Sequence, residues 1–226
     1  IRNIKADSEL TTTEFVGQLF QSVPFGLFGS LNSIVRYRMA GKENERILTT
    51  RNLGRSDSPF NTDELIEALS DPSFDVRYEA VLAMALRKPN PKIVAALIGV
   101  LEGEDIELSA TASWALGQIG GKSAAPSLKK QLTSPYRILR ARSARALGSI
   151  GDTENADIIF ELLKIETDQL LRVAYASALG AMKYVPAMGY VLALLADVQN
   201  ETFRGEVALA AARIVGSEKT YIKLLR

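Results

Sequence analysis

Enzyme chemistry needs a nucleophile, a base or a metal ligand, and this 226-residue chain is short of all three. It has no Cys and no His. That removes thiolate nucleophiles, disulfides, imidazole bases and the usual zinc sites. No GxGxxG, GxxxxGK[ST] or GxSxG stretch occurs. Glu102, Glu104, Asp105 and Glu107 cluster, but without the alternating spacing of a calcium loop. They sit at a helix start, where negative charge favours the dipole. The reading is therefore a non-enzyme with no catalytic, cofactor-binding or metal residues and no cofactor.

Recognition chemistry is better supplied. Residues 122–145 hold Lys122, Lys129, Lys130, Arg137, Arg140, Arg142 and Arg145 and no acid. The net charge is only +1, and acids such as Glu79 and Glu206 stand at the places corresponding to Arg142. Nucleic acid, which needs an extended basic surface, is therefore not expected as a partner. An acidic segment of a protein suits one basic unit better, with ordinary surface charge as the alternative. Trp114 lies beside this unit, and Trp and Arg are the types enriched where partners bind tightly. Trp114, Gln118, Arg142 and Arg145 form the candidate partner-binding patch; Trp114 packed between repeats is the competing reading.

The elements that must position these residues are repeats. WALGQIG occupies 114–120, RALGSIG 145–151 and SALGAMK 177–183. The same register reaches Ala83 and Ala210, giving units of 31–33 residues. Each unit holds two helical patterns. The expected first helices are 62–70, 91–102, 123–133, 154–165 and 186–197. The expected second helices are 74–87, 105–119, 136–150, 168–182 and 200–215, rich in small residues that permit close approach. Asn61, Ser123 and Thr153 are expected N-caps, and Gly120 and Gly151 follow helix ends. No strand pattern appears. Hairpins of this size cannot bury their apolar faces alone, so stacking is expected. The fold class is all-α: an α-solenoid of about five hairpins from residue 61 to 226, with 218–226 opening a sixth. Stepping by the period from Trp114 gives Leu82, Arg145, Ser177 and Leu209, a column expected at the edge of the inner face.

The units DVRYEAVLAMAL and RARSARALGSIGD resemble the HEAT repeat, in the short form of phycobilin-lyase-type repeat proteins. The resemblance implies an armadillo-like superhelix. It also implies that Arg77, Arg140, Arg172 and Arg204 tie neighbouring repeats together, with Ser109 interrupting the series. It points to a protein-binding scaffold or regulatory module, with a tetrapyrrole lyase or chaperone as the alternative. LGRSDSPFNTDELIEALSDPSFDVRYEA followed by ASWALGQIG is also similar to the cytosolic C-terminal repeats of some bacterial major-facilitator-type membrane proteins.

Residues 1–60 do not follow the repeat and are expected to form an irregular helical cap or a juxtamembrane segment. Residues 15–35 carry no charge. Gly17, Pro24, Gly26 and Gly29 argue against spanning a bilayer. Phe15, Phe20, Phe25 and Phe28 provide for contact with a membrane surface. The chain starts on Ile1 and runs to Arg226 within an apolar-periodic stretch, so a piece of a longer protein is expected. The expected location is the cytoplasm, with membrane contact through 15–35 as the alternative to the cap.

Overall fold

The computed structural model of the chain describes residues 41–55 and 58–219. The segment 15–35 and most of 218–226 lie outside these residues.

Capping residues set where the helices begin. Ser73, Asn90, Asp105, Asp168 and Asn200 each accept a hydrogen bond from a backbone N–H of the first turn they precede. Eleven α-helices result among the described residues: α1 (Glu43–Leu53), α2 (Pro59–Ala68), α3 (Phe74–Ala85), α4 (Pro91–Leu101), α5 (Ile106–Ile119), α6 (Ala125–Gln131), α7 (Arg137–Ser149), α8 (Ala156–Ile165), α9 (Gln169–Ala181), α10 (Met188–Asp197) and α11 (Glu201–Ile214). Five hairpins pair α2 with α3, α4 with α5, α6 with α7, α8 with α9 and α10 with α11.

Three of the expected caps are displaced. Asn61 lies inside α2, whose N-cap position is Ser58; its amide donates instead to the Leu53 carbonyl at 3.1 Å. Ser123 and Thr153 fall within short 3-10 turns, Lys122–Ala124 and Thr153–Asn155, that lead into α6 and α8. Gly121 and Asp152 donate back to the Leu116 and Leu147 carbonyls, so the chain turns tightly before each first helix.

Four of the five second helices, α5, α7, α9 and α11, end alike. Gly120, Gly151, Lys183 and Gly216 adopt φ of 70°, 69°, 55° and 73°, in the left-handed region. The residue after each donates to the carbonyl five residues back, the left-handed closure that glycine makes cheaply. Lys183 holds this conformation with a side chain, at a cost of about 1 kcal/mol.

Consecutive second helices form one row, with α3, α5, α7, α9 and α11 each packed on the next and each first helix packed on its own partner. Small residues set the spacing of the row. A Cβ on Gly117 would come within 3.0 Å of the Ala146 Cα; one on Gly148 would lie 2.8 Å from the Ala178 Cα, and one on Gly180 2.6 Å from the Ala210 Cα. The recurring Ala-Leu-Gly is thus a backbone contact between units. α1 sits ahead of α3 in the same way, with Gly54 against Ala83. One continuous core runs from Leu53 to Ile214, as expected when stacked units share their apolar faces, with a small separate cluster of Ala68, Val76 and Ala80 in the first unit.

Candidate functional site

The column stepped from Trp114 runs along the exposed side of the second-helix row: Leu82, Trp114, Arg145, Ser177 and Leu209 are all half-buried. Their neighbours Ala83, Ala115, Ala146, Ala178 and Ala210 are buried between helices. The helical spacing that fills the seam with alanine therefore turns the preceding residue outward.

This side is concave. Arg145 of α7 donates from Nε to Glu206 Oε1 at 2.9 Å and from its terminal nitrogen to Oε2 at 3.1 Å. Glu206 belongs to α11, two units on, with α9 between. Helices in contact lie about 8–10 Å apart, so α7 and α11 in a flat row would stand roughly 16–20 Å apart. The two-pronged pair requires the row to curl inward over α9. Ser177, the register equivalent of Arg145 on α9, is small enough to pass beneath it. The first helices consequently form the outer layer.

The curl encloses a cavity of about 430 Å³. Trp114, Gln118, Arg142 and Arg145 all line it, so the structure brings the four candidate residues together. Gly117 and Ser149 make part of the floor. Ile138, Leu170 and Phe203 complete the wall, and these three escaped the sequence reading. Their signal was present: Phe74, Ile106, Ile138, Leu170 and Phe203 recur at 32- or 33-residue steps in the first turns of the second helices.

The electrostatics of the cavity are uneven. Arg145 is neutralised by Glu206. Arg142, one turn earlier on α7, is exposed and meets no carboxylate among the described residues. Gln118 and Ser149 are exposed and uncharged. Across the front of the row, Arg51 of α1 is paired with Glu79 of α3, so Arg142 is the arginine of the cavity without a carboxylate partner among the described residues.

The rest of the basic strip is dispersed. Arg137 pairs with Asp168 at 3.1 Å. Lys122, Lys129 and Lys130 are exposed on the turn and helix of the outer layer.

The repeating arginines differ from one another. Arg77 and Arg140 each donate to two carbonyls of their own unit's loop: Asp71 and Pro72 for Arg77, Ser134 and Pro135 for Arg140. Arg77 also lies 3.9 Å from Asp105 of the next unit. Arg140 faces the buried Tyr175 hydroxyl of the next unit, whose pKa is pushed up by burial and by the Glu166 charge and opposed by Arg140. Arg172 reaches Asp197 of the next unit at 2.8 Å. Arg204 is exposed. Ser109, in the place of the second unit's arginine, donates from its hydroxyl to the Val100 carbonyl at 3.0 Å, satisfying the loop by a shorter route.

The acids near α5 are partly engaged: Asp105 caps the helix and Glu102 accepts from Ser127. No group of three or more potential metal ligands converges among the described residues. No helix among them is long and apolar enough to cross a membrane.

A family model of HEAT repeats matches residues 62–148 and again 127–212. Among curated protein sequences none matches the chain. Solved structures do. The complex of CpcE and CpcF of phycocyanin lyase from Nostoc is similar over 98% of this chain and 99% of that one, with 20% identity and a TM-score of 0.52. The Escherichia coli protein YibA is similar over 93% of this chain and 80% of its own, at 16% identity and a TM-score of 0.57. A designed armadillo repeat protein covers 81% and 98%, at 16% identity and a TM-score of 0.50. At such identities these likenesses establish the fold, an armadillo-like α-solenoid. The family matches together span 62–212, most of the chain, and the chain belongs to the HEAT-repeat family.

Proposed function

We propose that the chain is a non-catalytic protein-interaction module and that the groove around Trp114 is where its partner binds. One observation carries the reading: the inward curl gathers Trp114, Gln118, Arg142 and Arg145 into a single cavity with Ile138, Leu170 and Phe203. An aromatic anchor, an uncommitted guanidinium and exposed aliphatic surface in one depression are the composition of a binding hot spot. The arginine series is read as structural, because Arg77, Arg140 and Arg172 spend their hydrogen bonds on loops and neighbouring units.

Two substitutions test the reading. Trp114→Ala removes the anchor, and Arg142→Glu reverses the free charge on an exposed side chain. Each is expected to weaken partner binding about 30-fold, the effect of losing a ~2 kcal/mol hot-spot contact. Pull-downs with the two variants should lose the proteins that the parent chain retains, with helix content unchanged by circular dichroism. Equal recovery by parent and variants would end the proposal for this groove.

A tetrapyrrole lyase or chaperone is the second reading. In its favour, 430 Å³ falls within the ~300–1,000 Å³ of small-ligand clefts, and one structural neighbour is a phycocyanin lyase complex. A change in bilin absorbance on mixing with the purified chain would favour it over the scaffold.

A further inference from the structure

The Arg145–Glu206 pair is unusual for its place. It is half-exposed, at 33% and 29% of the side-chain surfaces. It spans 61 residues, and it closes over the groove rather than joining adjacent helices. A solvent-facing ion pair adds little to a helix row that buried apolar contacts already hold. Its geometry is nevertheless the one a guanidinium offers an incoming carboxylate: two parallel N–H···O bonds, on Nε and one terminal nitrogen. Glu206 thus occupies, from within the chain, the position that a ligand carboxylate would take.

The surroundings extend the pattern. Arg142 lies one turn from Arg145 on the same helix and pairs with no acid among the described residues. Ile138, a further turn back, is 41% exposed. Trp114 and Phe203 stand on the neighbouring walls and are half-buried. Two guanidinium groups therefore sit beside apolar surface in a depression open at one side.

We propose that the groove takes an acidic linear segment of a partner protein. One carboxylate of the segment replaces Glu206 on Arg145, a second pairs with Arg142, and an apolar side chain between them rests against Trp114, Ile138 and Phe203. The proposal rests on the groove being the interaction site, as argued above. Exchanging one carboxylate for another on Arg145 leaves the charge of the pair unchanged, so net affinity comes from Arg142 and the apolar contacts. Until displaced, Glu206 holds the Arg145 fork in place and screens it from weaker acids. Nucleic acid fits less well. It gains affinity from many phosphate contacts, whereas the groove offers two arginines, and on the same row Arg51 is already paired with Glu79 as Arg145 is with Glu206.

Trp114 is the one tryptophan of the chain, so its emission reports on the groove directly. Random dodecapeptides displayed on phage are panned against the full chain, and the selected sequences are synthesised. The selected peptides should carry several Asp or Glu residues around an aromatic or aliphatic one, and should shift Trp114 emission on binding. Arg142→Glu should weaken them tenfold or more, as expected when a charge-assisted hydrogen bond is replaced by like-charge repulsion. Glu206→Gln should tighten them severalfold, because a carboxamide competes less well for Arg145. A pair with a merely structural role predicts unchanged or weaker binding for Glu206→Gln, and that result overturns the proposal. So do selected peptides that are basic or neutral, peptides that leave Trp114 emission unmoved, a panning that enriches nothing, or a single-stranded oligonucleotide that binds at Trp114 more tightly than the peptides. Loss of partners by Trp114→Ala together with acid-poor selected peptides would sink this proposal and leave the scaffold reading standing. Partner recovery unaffected by Trp114→Ala would sink both.

Discussion

Gly180→Ala should lower the stability of the chain by about 2 kcal/mol, although alanine is the better helix former by roughly 1 kcal/mol. Gly180 lies inside α9, and a methyl group there would stand 2.6 Å from the Ala210 Cα and 3.0 Å from its carbonyl oxygen. Those atoms are backbone, so relief requires α9 and α11 to move apart and to give up part of the core around Leu179 and Val207. Gly99 provides the control. It also lies inside a helix, α4, but a Cβ there meets nothing within 4 Å. Gly99→Ala should therefore raise stability by about 0.5–1 kcal/mol. Thermal melts followed at 222 nm measure both. At about 2–4 °C per kcal/mol for a chain of this size, the midpoint falls roughly 4–8 °C for Gly180→Ala and rises a few degrees for Gly99→Ala. Two shifts of the same sign would mean that the second helices do not approach as closely as described.

The second large effect is expected at Arg87. This side chain is 6% exposed. It donates to the Ser58 carbonyl at 2.8 Å, to the Thr62 hydroxyl at 3.0 Å and to the Leu53 carbonyl at 3.3 Å. It thereby closes the polar junction between α1, α2 and the end of α3, where Thr50, Asn61 and Thr62 are also buried. Arg87→Met keeps most of the volume and removes the donors. The Ser58 and Leu53 carbonyls keep one hydrogen bond each, from the Asn61 backbone N–H and side-chain amide, but lose the charge-assisted one; the Thr62 hydroxyl loses its charged donor, and a buried polar group left without one costs about 1–3 kcal/mol. A loss of about 3 kcal/mol is expected, concentrated in the first unit. Hydrogen exchange should show faster opening of α1 and α2, with α9 and α11 unaffected, since stability in stacked repeats is largely local. Uniform acceleration along the chain would contradict this assignment.

These two sites differ in how far the sequence reveals them. Gly117, Gly148 and Gly180 recur with the period, and a small residue at fixed register in a hairpin repeat has one use: to let a neighbouring backbone come close. Arg87 has no counterpart in register, and its partners lie in the irregular connection after α1. The candidate site shows the same division. Trp114, Gln118, Arg142 and Arg145 were legible because they depart from the small residues of the repeat, and Ile138, Leu170 and Phe203 could have been found by stepping the period along the first turns. The Arg145–Glu206 pair could not, because it joins helices that are not neighbours and depends on the curl of the row. Asn61, Ser123 and Thr153 have N-cap side chains, yet one helix starts earlier and two start later. Cap propensity alone does not place a boundary when a 3-10 turn competes for the same residues.

The claim that the concave row is the interacting face is tested most directly by photo-crosslinking from two positions. A benzoylphenylalanine is placed at Ile138, in the groove wall, or at Tyr190, exposed on α10 in the outer layer. Both side chains are surface-accessible, so the comparison isolates which face the partner covers. Partner crosslinks are expected from position 138, abolished by adding the Arg142→Glu change, and none from position 190. Crosslinks from position 190 with none from 138 would contradict the claim.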